Sequence, residues 1–186
     1  MEHFYELKDF PTKRMIDGFK WDRIPPGQTH RRDHLSFDLL STQVLVWFAE
    51  RNLDPTMIAF FQRNAPHNSM IHTDYSEQAQ MHSAINFELE GSGAQAYYKQ
   101  VRGEGQMHQS ANNGKAANHY NAILYKDEDM ELLDQVTFAP GAAYLVQVDV
   151  PHHGAVLSPY RVTVSIRFKH QGQYESWPDT VKRIIG

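Results

Sequence analysis

Cysteine is absent from the 186 residues. That absence excludes disulfide frameworks, thiolate zinc sites, iron–sulfur clusters and thiol nucleophiles together. Cationic charge is also scarce, with 18 Lys and Arg against 22 Asp and Glu and a formal net charge of -4. Such a balance disfavours nucleic acid and anionic membranes as partners. The longest apolar runs, such as Val44 to Ala49, fall far short of a bilayer span. Met1 to Glu6 lacks the charged and apolar regions of a signal peptide, and no Asn-x-Ser/Thr acceptor occurs. The expectation is a soluble, cytoplasmic protein. Histidine, by contrast, occurs 11 times. Any metal chemistry here must therefore use imidazole nitrogens and carboxylate oxygens.

With 41% hydrophobic and 12% aromatic residues, the chain can bury a sizeable core, and its length predicts a single domain over 1–186. Within it, 1–54 reads as an N-terminal helical support region, 55–170 as a β core and 171–186 as a C-terminal tail. Residues 1–34 read as solvated, with the basic cluster Arg31-Arg32 between His30 and Asp33-His34. From Thr42 to Asn52, Val44, Leu45, Trp47 and Phe48 recur at helical spacing behind Ser41 or Thr42 as cap. This amphipathic helix is expected to cover a sheet. After Asp54-Pro55 come seven short runs rich in aromatic and β-branched residues: Met57 to Arg63, Met81 to Glu90, Ala94 to Val101, Tyr120 to Lys126, Val136 to Phe138, Tyr144 to Val150 and Arg161 to His170. They predict a mainly β sandwich or barrel with flanking helices. The polar segment Gly103 to Asn118 reads as a lid or as disorder, and Trp177 to Gly186 as a short terminal helix.

In Arg161 to Phe168 the two-residue period puts Arg161, Thr163, Ser165 and Arg167 on one face and Val162, Val164, Ile166 and Phe168 on the other. The apolar face suits the amphipathic helix. The polar face suits either solvent or a polar pocket.

His72-Thr73-Asp74 places an imidazole and a carboxylate on one side of extended chain. A third ligand is available at Val150-Pro151-His152-His153, and nine residues beyond His152 stands Arg161, followed by Thr163. A 2-His-1-carboxylate set occupies one face of an octahedral metal and leaves the other open, as in non-haem Fe(II) oxygenases. An arginine fork nearby suits a carboxylate on a co-substrate. His152 and His153 point to opposite faces of a strand, so one of them alone can be the ligand. His152, directly after Pro151, is preferred, and His153 stays open. Arg167 shares the face of Arg161, but six residues further along it is expected to lie well away from the iron end.

The ordered set His72-x-Asp74, Pro151-His152 and Arg161-x-Thr163 resembles the HxD…H…R-x-S/T pattern of the Fe(II)- and 2-oxoglutarate-dependent dioxygenases. The resemblance covers roughly residues 55–170. It includes Ser83-Ala84-Ile85-Asn86-Phe87 after the HxD segment and Ala139-Pro140-Gly141-Ala142-Ala143-Tyr144 before the second histidine. The prolyl-hydroxylase-like and aspartyl/asparaginyl-hydroxylase-like members are most similar. It implies a double-stranded β-helix (jelly-roll, cupin-like) barrel with the N-terminal helix on its major sheet. It further implies Fe(II) held by His72, Asp74 and His152 as catalytic centre, with 2-oxoglutarate and O2 as co-substrates. Arg161 would pair with the distal carboxylate of 2-oxoglutarate, with Thr163 beside it. Asn86, Tyr97, Tyr98 and Gln147 are candidates for a further co-substrate contact, Asn86 first among them. The implied activity is hydroxylation of a C–H bond in an amino acid, peptide or small metabolite, with release of succinate and CO2.

The alternative is a cupin-like barrel that binds a metal or ligand without 2-oxoglutarate, although the clustered His-x-His of cupins is missing. His67, His82, His108 and His119 read as surface or polar-network residues. Met57, Phe60, Phe61 and Tyr98 read as core, Asp127-Glu128-Asp129 as a solvated turn, and Trp177 as a packing anchor.

Overall fold

The computed structural model describes residues 2–12, 20–25, 27–75, 81–109 and 121–186. Among these, the chain forms β1 (Phe4–Glu6), β2 (His30–His34), α1 (Thr42–Glu50), β3 (Leu53–Asn64), β4 (His72–Tyr75), β5 (Ser83–Glu90) and β6 (Gly93–Gln100). Then follow β7 (Gln106–Gln109), β8 (Asn121–Leu124), β9 (Met130–Phe138), β10 (Ala143–Gln147), β11 (His152–Val156), β12 (Tyr160–His170) and α2 (Trp177–Ile184).

Two six-stranded antiparallel sheets result, the major in the order β1-β10-β5-β12-β3-β2 and the minor in the order β7-β8-β4-β11-β6-β9. The strands β3, β4, β5, β6 and then β9, β10, β11, β12 pass back and forth between the sheets. That alternation is the double-stranded β-helix, or jelly roll. The β7–β8 pair extends the minor sheet beyond β4, while β1 and β2 extend the two edges of the major sheet.

Local chemistry explains the main elements. Ser41 caps α1 by accepting a hydrogen bond from the Val44 N–H at 3.3 Å. The buried stripe of α1 is Val44, Trp47 and Phe48, which join Val162, Val164, Ile166 and Phe168 of β12 in one core outside the major sheet. Leu45, assigned to that stripe from spacing, is instead exposed, because the stripe follows the i, i+3, i+4 positions from Val44. Along β10, Leu145 joins this outer core, while Tyr144 and Val146 turn inward. There they meet Met81, Tyr97, Val136, Phe138 and Val148 between the sheets. Trp177 at the start of α2 is buried and donates its indole N–H to the Glu2 carbonyl at 3.0 Å.

Three expectations need correction. The segment 1–34 is not simply solvated: β1 pairs with β10 and β2 pairs with β3 throughout its length. Strands β4, β7 and β11, of four, four and five residues, fall outside the seven predicted runs, being short and rich in His, Gln and Gly in place of the aliphatic residues that mark the others. Within Gly103 to Asn118, residues 106–109 form β7, paired with β8, and residues 110–118 lie outside the described residues. Among the described residues no helix is long and apolar enough to cross a membrane.

Candidate metal centre

His72 and Asp74 sit at alternate positions of β4 and so project to the same face. His152, the first residue of β11, is the direct cross-strand partner of His72. Their rings stand 4.5 Å apart between centroids. One ligand atom from each of His72, Asp74 and His152 lies within 4.8 Å of the others, a grouping able to hold a metal ion.

Each side chain is oriented by a partner of its own. His72 Nδ1 is 2.7 Å from the Met70 carbonyl and His152 Nδ1 is 2.9 Å from the Val150 carbonyl. A carbonyl only accepts, so both Nδ1 atoms carry a proton and the Nε2 atoms are the ring positions turned to the centre, available as ligands in the neutral rings. Burial, and next the neighbouring His72, push the pKa of His152 down to about 3. The imidazole is therefore neutral at ordinary pH, the form a metal requires. Asp74 accepts a hydrogen bond on Oδ2 from Arg167 Nη2, while its Oδ1 lies 3.6 Å from His72 Nε2. These donors are two borderline imidazole nitrogens and one hard carboxylate oxygen, which fit Fe(II) and comparable divalent ions. His153 faces the other way, against the Tyr98 ring, with its Nδ1 2.9 Å from the Tyr98 hydroxyl.

The centre opens on a cavity of about 670 Å³ between the sheets. Arg161, Thr163, Ser165 and Arg167, the polar face of β12, line its major-sheet wall. They are buried, not solvated. Asn86 lines it too, accepting from the Ser165 hydroxyl and donating to Gln95 Oε1 at 3.3 Å. Arg167 Nη1 donates to Ser165 Oγ at 2.6 Å. A continuous chain of hydrogen bonds thus runs from Asp74 through Arg167, Ser165 and Asn86 to Gln95. Gln95 donates in turn to the Tyr97 hydroxyl at 3.1 Å. Burial, and secondarily Asp134, hold the Tyr97 phenol well above its usual pKa, so it stays protonated.

Arg161 does not present an unengaged fork. Its Nε and Nη2 donate to the two carboxylate oxygens of Glu88 at 2.9 and 2.5 Å, and its Nη1 donates to the Ala155 carbonyl at 3.1 Å. Thr163 Oγ1 also donates to Glu88, at 3.0 Å. Glu88 is fully buried. The expectation for Arg167 is also corrected, since it touches Asp74 and lies at the metal end of the cavity. Position along β12 misled here because Asp74 reaches Arg167 from the opposite sheet.

Sequence reasoning missed Glu88 and the cavity-lining roles of Arg32, Phe61, Arg63, His67 and His108. A usable signal for Glu88 was the alternation Asn86, Glu88, Glu90 in an otherwise apolar strand. His82 faces elsewhere, its Nδ1 2.6 Å from Asp149, and His119 lies outside the described residues.

Gly93 is required by this arrangement. A Cβ there would stand 2.2 Å from Arg161 Cζ, and the guanidinium is held in place by Glu88 and Ala155. Gly93→Ala is expected to lower stability by about 1–3 kcal/mol, as overpacking does. Urea denaturation checks this, and an unchanged midpoint would contradict the tight fit.

No family model and no curated protein matches the chain. Solved structures with similar folds include E. coli ycfD, at 11% identity over 68% of this chain and 28% of that longer one, with a TM-score of 0.41. KdgF from Halomonas sp. is 13% identical over 83% of this chain and 91% of that one, with a TM-score of 0.36. An oxalate oxidase in complex with glycolate is 8% identical over 81% of this chain and 57% of that one, with a TM-score of 0.43.

Proposed function

We propose that the protein is an Fe(II)- and 2-oxoglutarate-dependent oxygenase that hydroxylates a C–H bond of an amino acid, peptide or small metabolite. The observation carrying this reading is the oriented His72, Asp74, His152 grouping at the wall of a cavity with open space beside it. The balanced reaction converts substrate, 2-oxoglutarate and O2 into hydroxylated substrate, succinate and CO2. Iron held by the three residues would supply the activation of O2 coupled to that decarboxylation.

The chain's own residues do the positioning. The Met70 and Val150 carbonyls orient the imidazoles, and Arg167 holds the Asp74 carboxylate turned toward the histidines. Arg161 Nη1 and Arg63 Nη1 would receive the distal carboxylate of 2-oxoglutarate. Residue 154, beside both, is glycine. A Cβ at that position, two residues from His152, would lie 3.8 Å from one Nη1 and 3.9 Å from the other. Thr163 acts one step removed, fixing Glu88 and through it Arg161. Asn86 holds Ser165 and so supports Arg167.

A second reading, a metal-dependent cupin-like barrel without 2-oxoglutarate, is favoured by one observation. Glu88 already occupies two donors of Arg161. Anaerobic addition of Fe(II) and then 2-oxoglutarate decides between the two. The oxygenase reading expects a visible charge-transfer band from the chelate, and succinate once air is admitted. Iron binding with neither band nor succinate overturns it in favour of the second.

A further inference from the structure

Glu88 of β5 and Arg161 of β12 form a buried ion pair, 0% and 3% exposed. Such a pair adds little net stability, because the cost of desolvating both charges offsets most of their attraction. An arginine whose charge is already matched is also a poor receiver for a carboxylate. Yet the pair is held from several directions. Val162 stands opposite Glu90 and Thr163 opposite Glu88, so the ladder between β12 and β5 passes over Leu89, an irregularity of the kind that re-aims a side chain. The Glu88 N–H donates to the Ala142 carbonyl at 3.2 Å, and its carbonyl accepts from the Gly141 N–H at 2.8 Å. The guanidinium is equally fixed. Its Cζ lies 5.4 Å from the centroid of the Phe138 ring, and a Cβ on Gly93 would come within 2.4 Å of its Nη1. That packing leaves Arg161 no room to turn from Glu88 toward a ligand.

We propose that Glu88 sets the strength of co-substrate binding: as a built-in counter-ion to Arg161 it holds the affinity for the distal carboxylate of 2-oxoglutarate down, so that occupancy of the site follows the concentration of that dianion. The proposal rests on the oxygenase reading and names the residue that regulates the site. Glu88 takes the Nε and Nη2 donors of Arg161, while Nη1 donates to the Ala155 carbonyl and borders Gly154. A carboxylate arriving at the Nη1 end therefore shares a single positive charge with Glu88.

Two carboxylates around one guanidinium repel each other, and burial strengthens that repulsion by lowering the local dielectric. What Arg161 then supplies to the co-substrate is direction, through the fixed geometry of its N–H groups, with little net attraction. Like charge placed against part of a ligand is a recognised means of setting selectivity. Thr163 serves the same end, since its hydroxyl donates to Glu88 at 3.0 Å and keeps the carboxylate against the guanidinium. The site thus fills as 2-oxoglutarate rises and empties as it falls, instead of staying saturated.

The test is anaerobic titration of 2-oxoglutarate into the Fe(II)-loaded full-length protein, reading the concentration at which the chelate band is half-developed in wild type, Glu88→Gln and Glu88→Asp. Glu88→Gln is expected to reach that point at about a tenfold lower concentration or less, the size of effect that removing a nearby buried charge carries. Glu88→Asp keeps the charge and is expected to show no such gain. Pyruvate, which keeps the 2-oxo acid end and lacks the distal carboxylate, is expected to bind Glu88→Gln and wild type equally. Damage to the fold weakens binding, so a gain confined to the dianion is not a structural effect. Unchanged or weaker binding of 2-oxoglutarate by Glu88→Gln, or an equal gain in Glu88→Asp or for pyruvate, overturns the proposal. Circular dichroism monitors folding. If Glu88→Gln is unfolded alone, because Arg161 then lacks its counter-ion, millimolar 2-oxoglutarate is expected to restore the fold by linkage and pyruvate to fail; absence of restoration overturns the proposal. A band in wild type without tightening in Glu88→Gln removes the proposal and keeps the oxygenase reading, whereas no band in any of the three proteins removes both.

Discussion

Replacing Arg161 by methionine is expected to destabilise the fold by about 3–5 kcal/mol, the range for breaking a buried ion pair from one side. The cause is Glu88. Its side chain is 0% exposed and that of Arg161 is 3% exposed. Arg161 donates two hydrogen bonds to the Glu88 carboxylate and Thr163 donates a third. Methionine fills similar volume but leaves a carboxylate in the interior with a single hydroxyl partner. The double variant Arg161→Met with Glu88→Met removes both charges, and buried pairs replaced by packed apolar groups often retain or gain stability. It should recover most of the loss. Urea denaturation of the two single variants and the double variant forms a cycle that isolates the pairing. A loss below about 1 kcal/mol in Arg161→Met, far under the buried-pair range, would show that Glu88 has other means of compensation. For function, Arg161→Met alone is an unsuitable test of co-substrate binding, since it disturbs the fold through Glu88.

Asp74→Asn is expected to weaken binding of Mn(II) by at least about a hundredfold, since even residues that only support a metal ligand are worth roughly 10–100-fold. The amide keeps a carbonyl oxygen for Arg167, so the fold is spared more than it would be with alanine. It removes the negative charge that completes the ligand set of two imidazoles and one carboxylate. Arg167→Met should weaken Mn(II) binding by about 10–100-fold through the same carboxylate, which loses the guanidinium that orients it. Isothermal titration of each folded variant measures both effects. An affinity for Asp74→Asn near that of wild type would mean that the ion is held elsewhere.

The residues that converge at the centre were legible because strand alternation and i, i+2 spacing are local rules. His72 and Asp74 needed only extended chain to share a face, and the polar row Arg161, Thr163, Ser165, Arg167 needed only β12. The partner of Arg161 was not legible in the same way. Glu88 lies 73 residues away in sequence and meets Arg161 through strand pairing that no local pattern records. The contact between Arg167 and Asp74 spans 93 residues and bridges the two sheets. The basic strand β2 was hidden for another reason. His30-Arg31-Arg32-Asp33-His34 has no apolar member, so it carries none of the hydrophobic alternation that marks a half-buried strand. It is a strand because β3 offers an open edge, and its alternate residues face a polar cavity instead of an apolar core.

The pairing of His72 with His152 is the one register pair that joins β4 to β11. On one side of that seam lie β7, β8 and β4, and on the other β11, β6 and β9. An ion gripped by Asp74 and both imidazoles would act as a rivet between two three-stranded ribbons. Its affinity would then add to the cohesion of the minor sheet by mass action.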